Sequence, residues 1–189
     1  KMQKAAERNK SNMEHKTKLI VRGGGDLASG VIYRLYRCGY QVLILECKRP
    51  SAIRREVSFG EAVYDGTSCV EGVTGRLITK VSECQKVWEN GELPILVDES
   101  GEAVKELKPD ALIDAILAKR NLGTTRDMAP LTVALGPGFE AEKDVDFVIE
   151  TQRGHDLARI ISKGSATPNT GVPGIIAGYG KERVIHSPA

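Results

Sequence analysis

The sequence predicts an α/β fold with a largely parallel sheet and flanking helices. Three observations carry this. Short apolar, β-branched runs alternate along the chain with segments of helical spacing, the pattern of strands joined by crossover helices. The first run, Leu19-Ile20-Val21, leads directly into the glycine-rich stretch RGGGDLASG at Arg22–Gly30. Strand, glycine turn, helix and second strand then fit within about 30 residues, the size of a βαβ unit. Together these describe a Rossmann-like domain.

Leu19 to Val21 reads as a buried strand because it is short and β-branched. From Asp26 to Cys38, Leu27, Val31, Ile32, Leu35 and Tyr36 fall at helical spacing, and Gly39 ends that helix. Val42 to Leu45 is a second buried strand, closed by Glu46. Ala52 to Thr79 mixes polar, glycine and short apolar pieces and yields no clear element. Val81 to Glu89 is predicted as a short helix with Ser82 as its cap. Leu93 to Val97 is predicted as a strand despite Pro94 near its start. Leu112 to Leu117 is ambiguous between strand and helix. The turn signal Lys108-Pro109-Asp110 before it favours a strand. Leu131 to Leu135, ending in Gly136-Pro137-Gly138, and Val145 to Ile149, ending in Glu150-Thr151, are further strands. A helix is predicted from His155 to Ile161. The Gly- and Pro-rich tail GSATPNTGVPGIIAGYG is predicted to be irregular or to carry one short strand. The expected organisation is a flexible N-terminal arm at 1–17 and a single Rossmann-like domain at 18–189.

Composition narrows the function classes. The chain has 189 residues, 41% hydrophobic and 28% charged, with a formal net charge of +2. That is ordinary for a soluble globular protein. No basic stripe stands out, which argues against nucleic-acid binding. No run approaches the roughly 20 apolar residues of a membrane span, and residues 1–17 have no apolar core of the kind a secretory signal needs. Cys38, Cys47, Cys69 and Cys84 form no CxxC pair, so free thiols in a reducing cytoplasm are expected. The three histidines are scattered, and no protein-built metal site is expected.

The glycine stretch carries the first candidate site. Gly23, Gly25 and Ala28 fit G-x-G-x-x-A, with Gly24 between them. The first glycine permits a sharp turn, the second lets backbone approach a phosphate, and the small third residue lets helix and strand pack closely. A helix N-terminus offers unpaired N–H groups and partial positive charge to an anion. The stretch follows an apolar strand, opens a helix and is trailed by the acidic Glu46, the context a dinucleotide fingerprint needs. The same features also suit a tight strand-to-helix turn without ligand. Asp26 would repel a phosphate there, or else cap the helix. Glu46 sits where an acid holds a ribose 2′-hydroxyl, while Lys48 and Arg49 would suit a 2′-phosphate, so NAD-like and NADP-like ligands both remain open. Arg54 and Arg55 are either anion ligands or surface charge.

A second constellation follows from where ligands bind in open α/β sheets, beyond the carboxyl ends of the strands. The segments expected there are Asp114 with Lys119 and Asn121, then Gly136 and Gly138, then Glu150 to His155. His155 is the acid–base candidate, with Glu150 and Arg153 beside it in sequence. No G-x-S-x-G elbow and no G-x-x-x-x-G-K-[ST] loop occurs, which removes support for a hydrolase triad or a P-loop enzyme.

Several separated motifs resemble one family. RGGGDLASG, AIRREVSFGEAVYDG with VEGV, AKRNLGT, ALGPGF, VIETQRGHDLARII and PNTGVPG are similar to those of the YqeB-type accessory proteins of the selenium-dependent molybdenum hydroxylase system. The resemblance runs roughly from Lys18 to Pro188. It implies a Rossmann-like fold, a molybdenum hydroxylase as partner, and a role in that enzyme's maturation, similar in logic to the XdhC accessory proteins. Two departures are visible. Ala158 stands where the family pattern has glycine, and the chain stops at HSPA where the family continues into a β-rich segment. The leading expectation is an accessory factor that binds NAD(P) or a molybdopterin nucleotide on Gly23, Gly24, Gly25 and Asp26. The alternatives are an NAD(P)-dependent oxidoreductase and a non-catalytic scaffold that docks the hydroxylase.

Overall fold

The structure, a computed structural model, describes residues 16–168 and 177–180. Its centre is a nine-stranded sheet. In chain order the strands are β1 (Lys18–Arg22), β2 (Gln41–Glu46), β3 (Thr67–Val70), β4 (Val73–Ile78), β5 (Leu93–Val97), β6 (Ala111–Asp114), β7 (Thr132–Leu135), β9 (Phe147–Ile149) and β10 (Ile160–Ile161). Two further strands, β8 (Glu140–Ala141) and β11 (Gly164–Ser165), pair antiparallel on their own. The α-helices are α1 (Asp26–Arg37), α2 (Ala62–Asp65), α3 (Cys84–Glu89) and α4 (Ala103–Leu107).

Across the sheet the order is β10-β9-β7-β6-β1-β2-β5-β4-β3. The run from β9 to β4 is parallel throughout. The antiparallel β3 and β10 close its two edges. The order β5-β2-β1-β6-β7-β9 is that of a Rossmann sheet, with the β3–β4 hairpin added outside β5. The chain leaves β1 in one direction through β2 and β5, then returns to the other side of β1 as β6. The carboxyl ends of β1 and β6 therefore flank the point where strand order reverses.

Both faces of the central strands are apolar, as a parallel sheet requires. On one face Leu19, Val21, Val42, Ile44, Leu93, Ile95 and Ile113 pack with Ala28 and Ile32 of α1 and with Phe59 and Ala62. On the other, Ile20, Leu43, Leu45, Leu96 and Leu112 pack with Cys84 and Val87 of α3 and with Ala103 and Val104 of α4. A third cluster joins Ala134 and Val148 to Phe139, Ala141 and Val145. Helix α1 ends where expected: Cys38 is its cap, and Gly39 follows at φ 87° with its N–H donated to Tyr36 O at 2.9 Å.

Several expectations need correction. The segment from His155 to Ile161 is no helix. Gly154 at φ 143° and Ala158 at φ 67° turn the backbone away from it, and Ile160 and Ile161 pair antiparallel with β9. Ser82 does not cap the helix near Val81. It lies inside a 3₁₀ turn, Val81–Glu83, which Glu83 closes by accepting Thr79 Oγ1 at 2.7 Å and Lys80 N–H at 3.2 Å. The strand predicted to reach Leu117 stops at Asp114, because Leu117 (φ 59°) and Lys119 (φ 62°) take left-handed conformations. The unreadable Ala52–Thr79 stretch contains the β3–β4 hairpin and the short helices before it. One short strand of the tail, β11, lies within the described residues. Residues 1–15 of the expected arm at 1–17, and residues 169–176 and 181–189 of the tail, lie outside them. Among the described residues no helix is long and apolar enough to cross a membrane.

Candidate functional site at the carboxyl rim of the sheet

The glycine stretch turns sharply off β1, and its three glycines have different surroundings. Gly23 sits at φ 95°, and a Cβ there would lie 2.9 Å from Ala115 O, so the loops after β1 and β6 touch at this point. Gly24 is the most heavily hydrogen-bonded. Its N–H donates to Glu46 Oε2 at 2.7 Å. Its carbonyl accepts Ser58 Oγ at 2.7 Å, Gly60 N–H at 2.8 Å and Ser29 Oγ at 3.1 Å. A Cβ on Gly24 would fall 2.9 Å from the Gly60 nitrogen. Gly25 is the opposite case. It is the extended residue preceding α1, and a Cβ built on it meets nothing within 4 Å. Of the three, Gly25 is the one whose surface faces open space.

Glu46, at the end of β2, turns both carboxylate oxygens toward backbone. Oε2 takes Gly24, and Oε1 takes its neighbour Cys47 N–H at 2.8 Å. This residue therefore braces the glycine turn. At the first turn of α1, Asp26 accepts Leu27 N–H at 2.9 Å and pairs with Arg54 Nε at 2.8 Å. The Arg54 guanidinium holds the Asp26 carboxyl below its usual range. Arg55 pairs with Glu61 through its Nε at 3.0 and 2.9 Å. Lys48 and Arg49 are exposed just past β2, and the Lys48 backbone donates to Glu99 Oε1 at 3.1 Å.

Beside the turn lies a buried polar cluster. Arg22, the last residue of β1, is 2% exposed; Asp114, the last of β6, is 1%, and Thr124 is 0%. Arg22 Nη1 donates to Thr124 Oγ1 at 2.6 Å, and that hydroxyl donates on to Asp114 Oδ2 at 2.6 Å. The guanidinium and carboxylate are 3.9 Å apart. Arg22 Nη2 also reaches Glu99 O at 2.8 Å. Burial raises the Asp114 carboxyl above its ordinary value, against the opposing pull of Thr124, the Ile116 N–H and Arg22. Asn121 fixes the loop locally: its Oδ1 accepts the N–H groups of Gly123 and Thr124, both at 2.8 Å. The cluster joins the loops after β1, β5 and β6.

The later loops meet through glycine again. Gly138 (φ 110°) lies against Arg120, where a Cβ would fall 2.6 Å from the backbone nitrogen. Gly136 (φ 76°) lies against Thr151, with Oγ1 2.6 Å from the same virtual atom. Both glycines thus serve close approach between loops. Glu150 is buried at 4% exposure. It accepts Thr151 and Gln152 N–H at 2.8 Å each and Thr167 N–H at 2.7 Å. Burial opposes its ionisation, yet these backbone donors hold the carboxyl below its ordinary value. Arg153 and His155 lie exposed on the following loop. Glu150 lines a surface groove of ≈ 380 Å³ together with Asp156, Arg159, Lys163 and Thr167.

This chain is similar to YqeB. The uncharacterized protein YqeB of Escherichia coli K12 is 53% identical to it over 171 residues, which cover 90% of this chain and 32% of that one. The chain thus spans about a third of the length of the curated relative it matches. The name agrees with the resemblance carried by the motifs. No protein-family model matches the chain. No solved structure matches it.

The residues singled out from sequence all lie along the carboxyl rim of the sheet, in two groups. Gly23, Gly24, Gly25, Asp26 and Glu46 come together around β1 and β2. Gly136, Gly138, Glu150, Arg153 and His155 belong to the loops after β7 and β9, and no hydrogen bond or ion pair among the described residues joins the two groups directly. Sequence reasoning missed Arg22, Thr124, Ser58 and Gly60. Arg22 had a visible signal: an arginine terminates an otherwise apolar strand immediately before a glycine. Ser58 and Gly60 lie in the AIRREVSFGEAVYDG motif, but that stretch has no periodicity that would place them against the glycine turn.

Proposed function

We propose that this chain is the nucleotide-binding part of a YqeB-type accessory factor for maturation of a selenium-dependent molybdenum hydroxylase. The observation carrying the binding half is the contrast within the glycine turn. Gly24 is fully engaged by protein groups, whereas Gly25, at the start of a twelve-residue helix, is open. Phosphate oxygens of a dinucleotide or of a molybdopterin nucleotide would lie on the Gly25 side of the turn, beside the helix N-terminus. Arg54 offsets the Asp26 charge that would otherwise repel them. Glu46 then supports the turn from behind, and any contact with a ribose would use lone pairs left over from its two backbone bonds. In this reading Gly136, Gly138 and Glu150 hold the rim in shape, and Arg153 and His155 are the exposed groups available to a bound partner or ligand. The maturation role rests on the motif resemblance and on the similarity to YqeB, because a fold alone does not specify function.

Thermal unfolding of the purified chain with NAD, NADP, FAD, ATP, CTP and molybdopterin nucleotides tests the binding half. A ligand at 100 times its Kd adds about 2.7 kcal/mol, or about 5–10 °C in Tm for a chain of this size. Gly25→Val should abolish the shift while leaving the unliganded Tm near that of the parent. If no nucleotide raises Tm and equilibrium dialysis finds none bound, the binding assignment is wrong.

A further inference from the structure

A dinucleotide on a Rossmann turn needs room between the glycines and the acid that closes the second strand. Its diphosphate lies on the turn, and the ribose of its adenosine half hydrogen-bonds that acid. In this chain the place is filled by protein. Gly24 N–H reaches Glu46 Oε2 directly at 2.7 Å. Gly60 lies against both residues: a Cβ built on it would stand 3.1 Å from Glu46 Oε2 and 3.2 Å from Gly24 O. The segment that carries Gly60 is fastened there. Besides the Ser58 and Gly60 bonds to the Gly24 carbonyl, Phe59 N–H donates to Ser29 Oγ at 2.9 Å and Ser68 Oγ donates to Phe59 O at 3.0 Å. Ser58 is 1% exposed and Phe59 0%. Moving the segment aside to admit a ribose would leave these buried donors and acceptors unpaired and would uncover Phe59.

The Gly25 side of the turn is built differently, with open space where a Cβ would stand. Two adjacent arginines come toward it from the connection after β2, in contrasting states. Arg55 binds Glu61 through both Nε and Nη2, and its guanidinium lies over the Tyr64 ring, 5.8 Å from the centroid. Arg54 binds Asp26 Oδ2 through Nε alone, at 2.8 Å. Neither Nη group of Arg54 donates to any other described residue, and its side chain is 66% exposed. Asp26 directly follows Gly25 in the chain. Its carboxylate therefore holds the guanidinium by one edge and leaves the end-on pair of nitrogens for an oxyanion, the geometry in which arginine binds phosphate.

We propose that the site receives its ligand by a terminal phosphate or diphosphate, held between the Gly25 side of the turn and Arg54, and that it does not seat the adenosine half of a dinucleotide. This ligand class rests on the nucleotide-binding role proposed for the site and narrows it. A terminal phosphate group presents its oxygens to the turn and to Arg54 without needing a ribose against β2. The diphosphate of a dinucleotide is internal, and in the Rossmann pose its adenosine ribose falls on the place that Gly60 fills. Arg54 then does more than offset Asp26: it touches the ligand, and Asp26 positions it.

Isothermal titration of the purified chain with inorganic pyrophosphate, NAD and NADP tests this. Pyrophosphate is expected to bind more tightly than either dinucleotide by about tenfold or more, and Gly25→Val should abolish its binding. Arg54→Gln should weaken pyrophosphate about ten- to a hundredfold, the range for hydrogen bonds to charged groups, while Arg55→Gln stays within about twofold of the parent. Asp26→Asn separates contact from charge compensation. Added to it, Arg54→Gln should still weaken pyrophosphate by about fivefold or more. Parent-like binding in the Asp26→Asn/Arg54→Gln double variant would mean that Arg54 acts only by cancelling Asp26, and would overturn the proposal. NAD or NADP binding as tightly as pyrophosphate, or without it, in a manner lost in Gly25→Val, would also overturn the proposal and leave the nucleotide-binding role standing. If neither pyrophosphate nor any nucleotide binds the parent, both fall. Unliganded Tm values matching the parent in the arginine and aspartate variants exclude misfolding as the source of the result.

Discussion

Replacing Gly24 by alanine should cost far more stability than the same change at Gly25, although the two are adjacent in one glycine run. A Cβ on Gly24 would stand 2.9 Å from Gly60 N, 3.2 Å from Gly60 Cα and 3.3 Å from Glu46 Oε2. Two of those three atoms are backbone and cannot rotate aside. Relieving the contact means moving the 58–60 segment, which is tied to the Gly24 carbonyl by Ser58 and Gly60. Overpacking of this kind costs about 1–3 kcal/mol, and weakening one or two neutral hydrogen bonds adds about 1 kcal/mol. The sum is about 2–4 kcal/mol, or about 5–15 °C in Tm for a chain of this length. Gly25→Ala has open space and a φ of −65° that alanine adopts freely. It should lose about 0.5–1 kcal/mol from a poorer helix cap, since alanine ranks well below glycine at that position. Urea unfolding followed by circular dichroism measures both. If Gly24→Ala lies within about 0.5 kcal/mol of the parent, the range of ordinary surface substitutions, the turn is not packed as described. The same holds if Gly25→Ala is the worse of the two.

Three other outcomes can be checked. Asp114→Ala leaves Arg22 buried without its carboxylate and should cost about 3–5 kcal/mol; Arg22→Met combined with it should cost less than the sum of the single changes, and strict additivity in a double-mutant cycle would contradict the coupling. Glu150 has a depressed folded-state pKa, so its stabilisation is present above the unfolded value and lost as pH falls through the folded one. Glu150→Gln should therefore flatten the acid limb of the stability–pH curve, and an unchanged limb would refute the assignment. Cys38 and Cys69 are exposed, Cys47 is half-buried and Cys84 is buried, with burial foremost in pushing the Cys84 thiol up to about 12. An Ellman titration of the native chain at pH 8 should label Cys38 and Cys69 fast and Cys84 only on denaturation; prompt labelling of Cys84 would be incompatible with its place under the sheet.

The parallel strands were readable because burial on both faces leaves a nearly unbroken apolar run, as in Val42 to Leu45 and Leu93 to Val97. The β3–β4 hairpin was not, since it lies toward the sheet edge and its residues alternate with glycine and charge, as in VTGRLI. Ile160 and Ile161 carry no period of their own in the sequence; the glycine at 154 and the left-handed Ala158 decide their direction. Glu46 illustrates the limit at the site. Its distance from the glycines matched a ribose-binding acid, but spacing along the chain does not reveal that both oxygens are already turned to backbone donors. Asp114, the charged end of β6, is singled out in the sequence, while Arg22, the charged end of β1, is not. Their partner, Thr124, is separated from Arg22 by 102 residues, and only the fold brings them together.

The sheet's two borders have a consequence for growth. β10 has two residues and β3 has four, so among the described residues neither border offers a long row of outward backbone donors and acceptors. Strand-on-strand recruitment, by which many sheets add a peptide or propagate into fibrils, has little purchase at such ends. Among the described residues the sheet therefore offers its faces, rather than its borders, to whatever joins it.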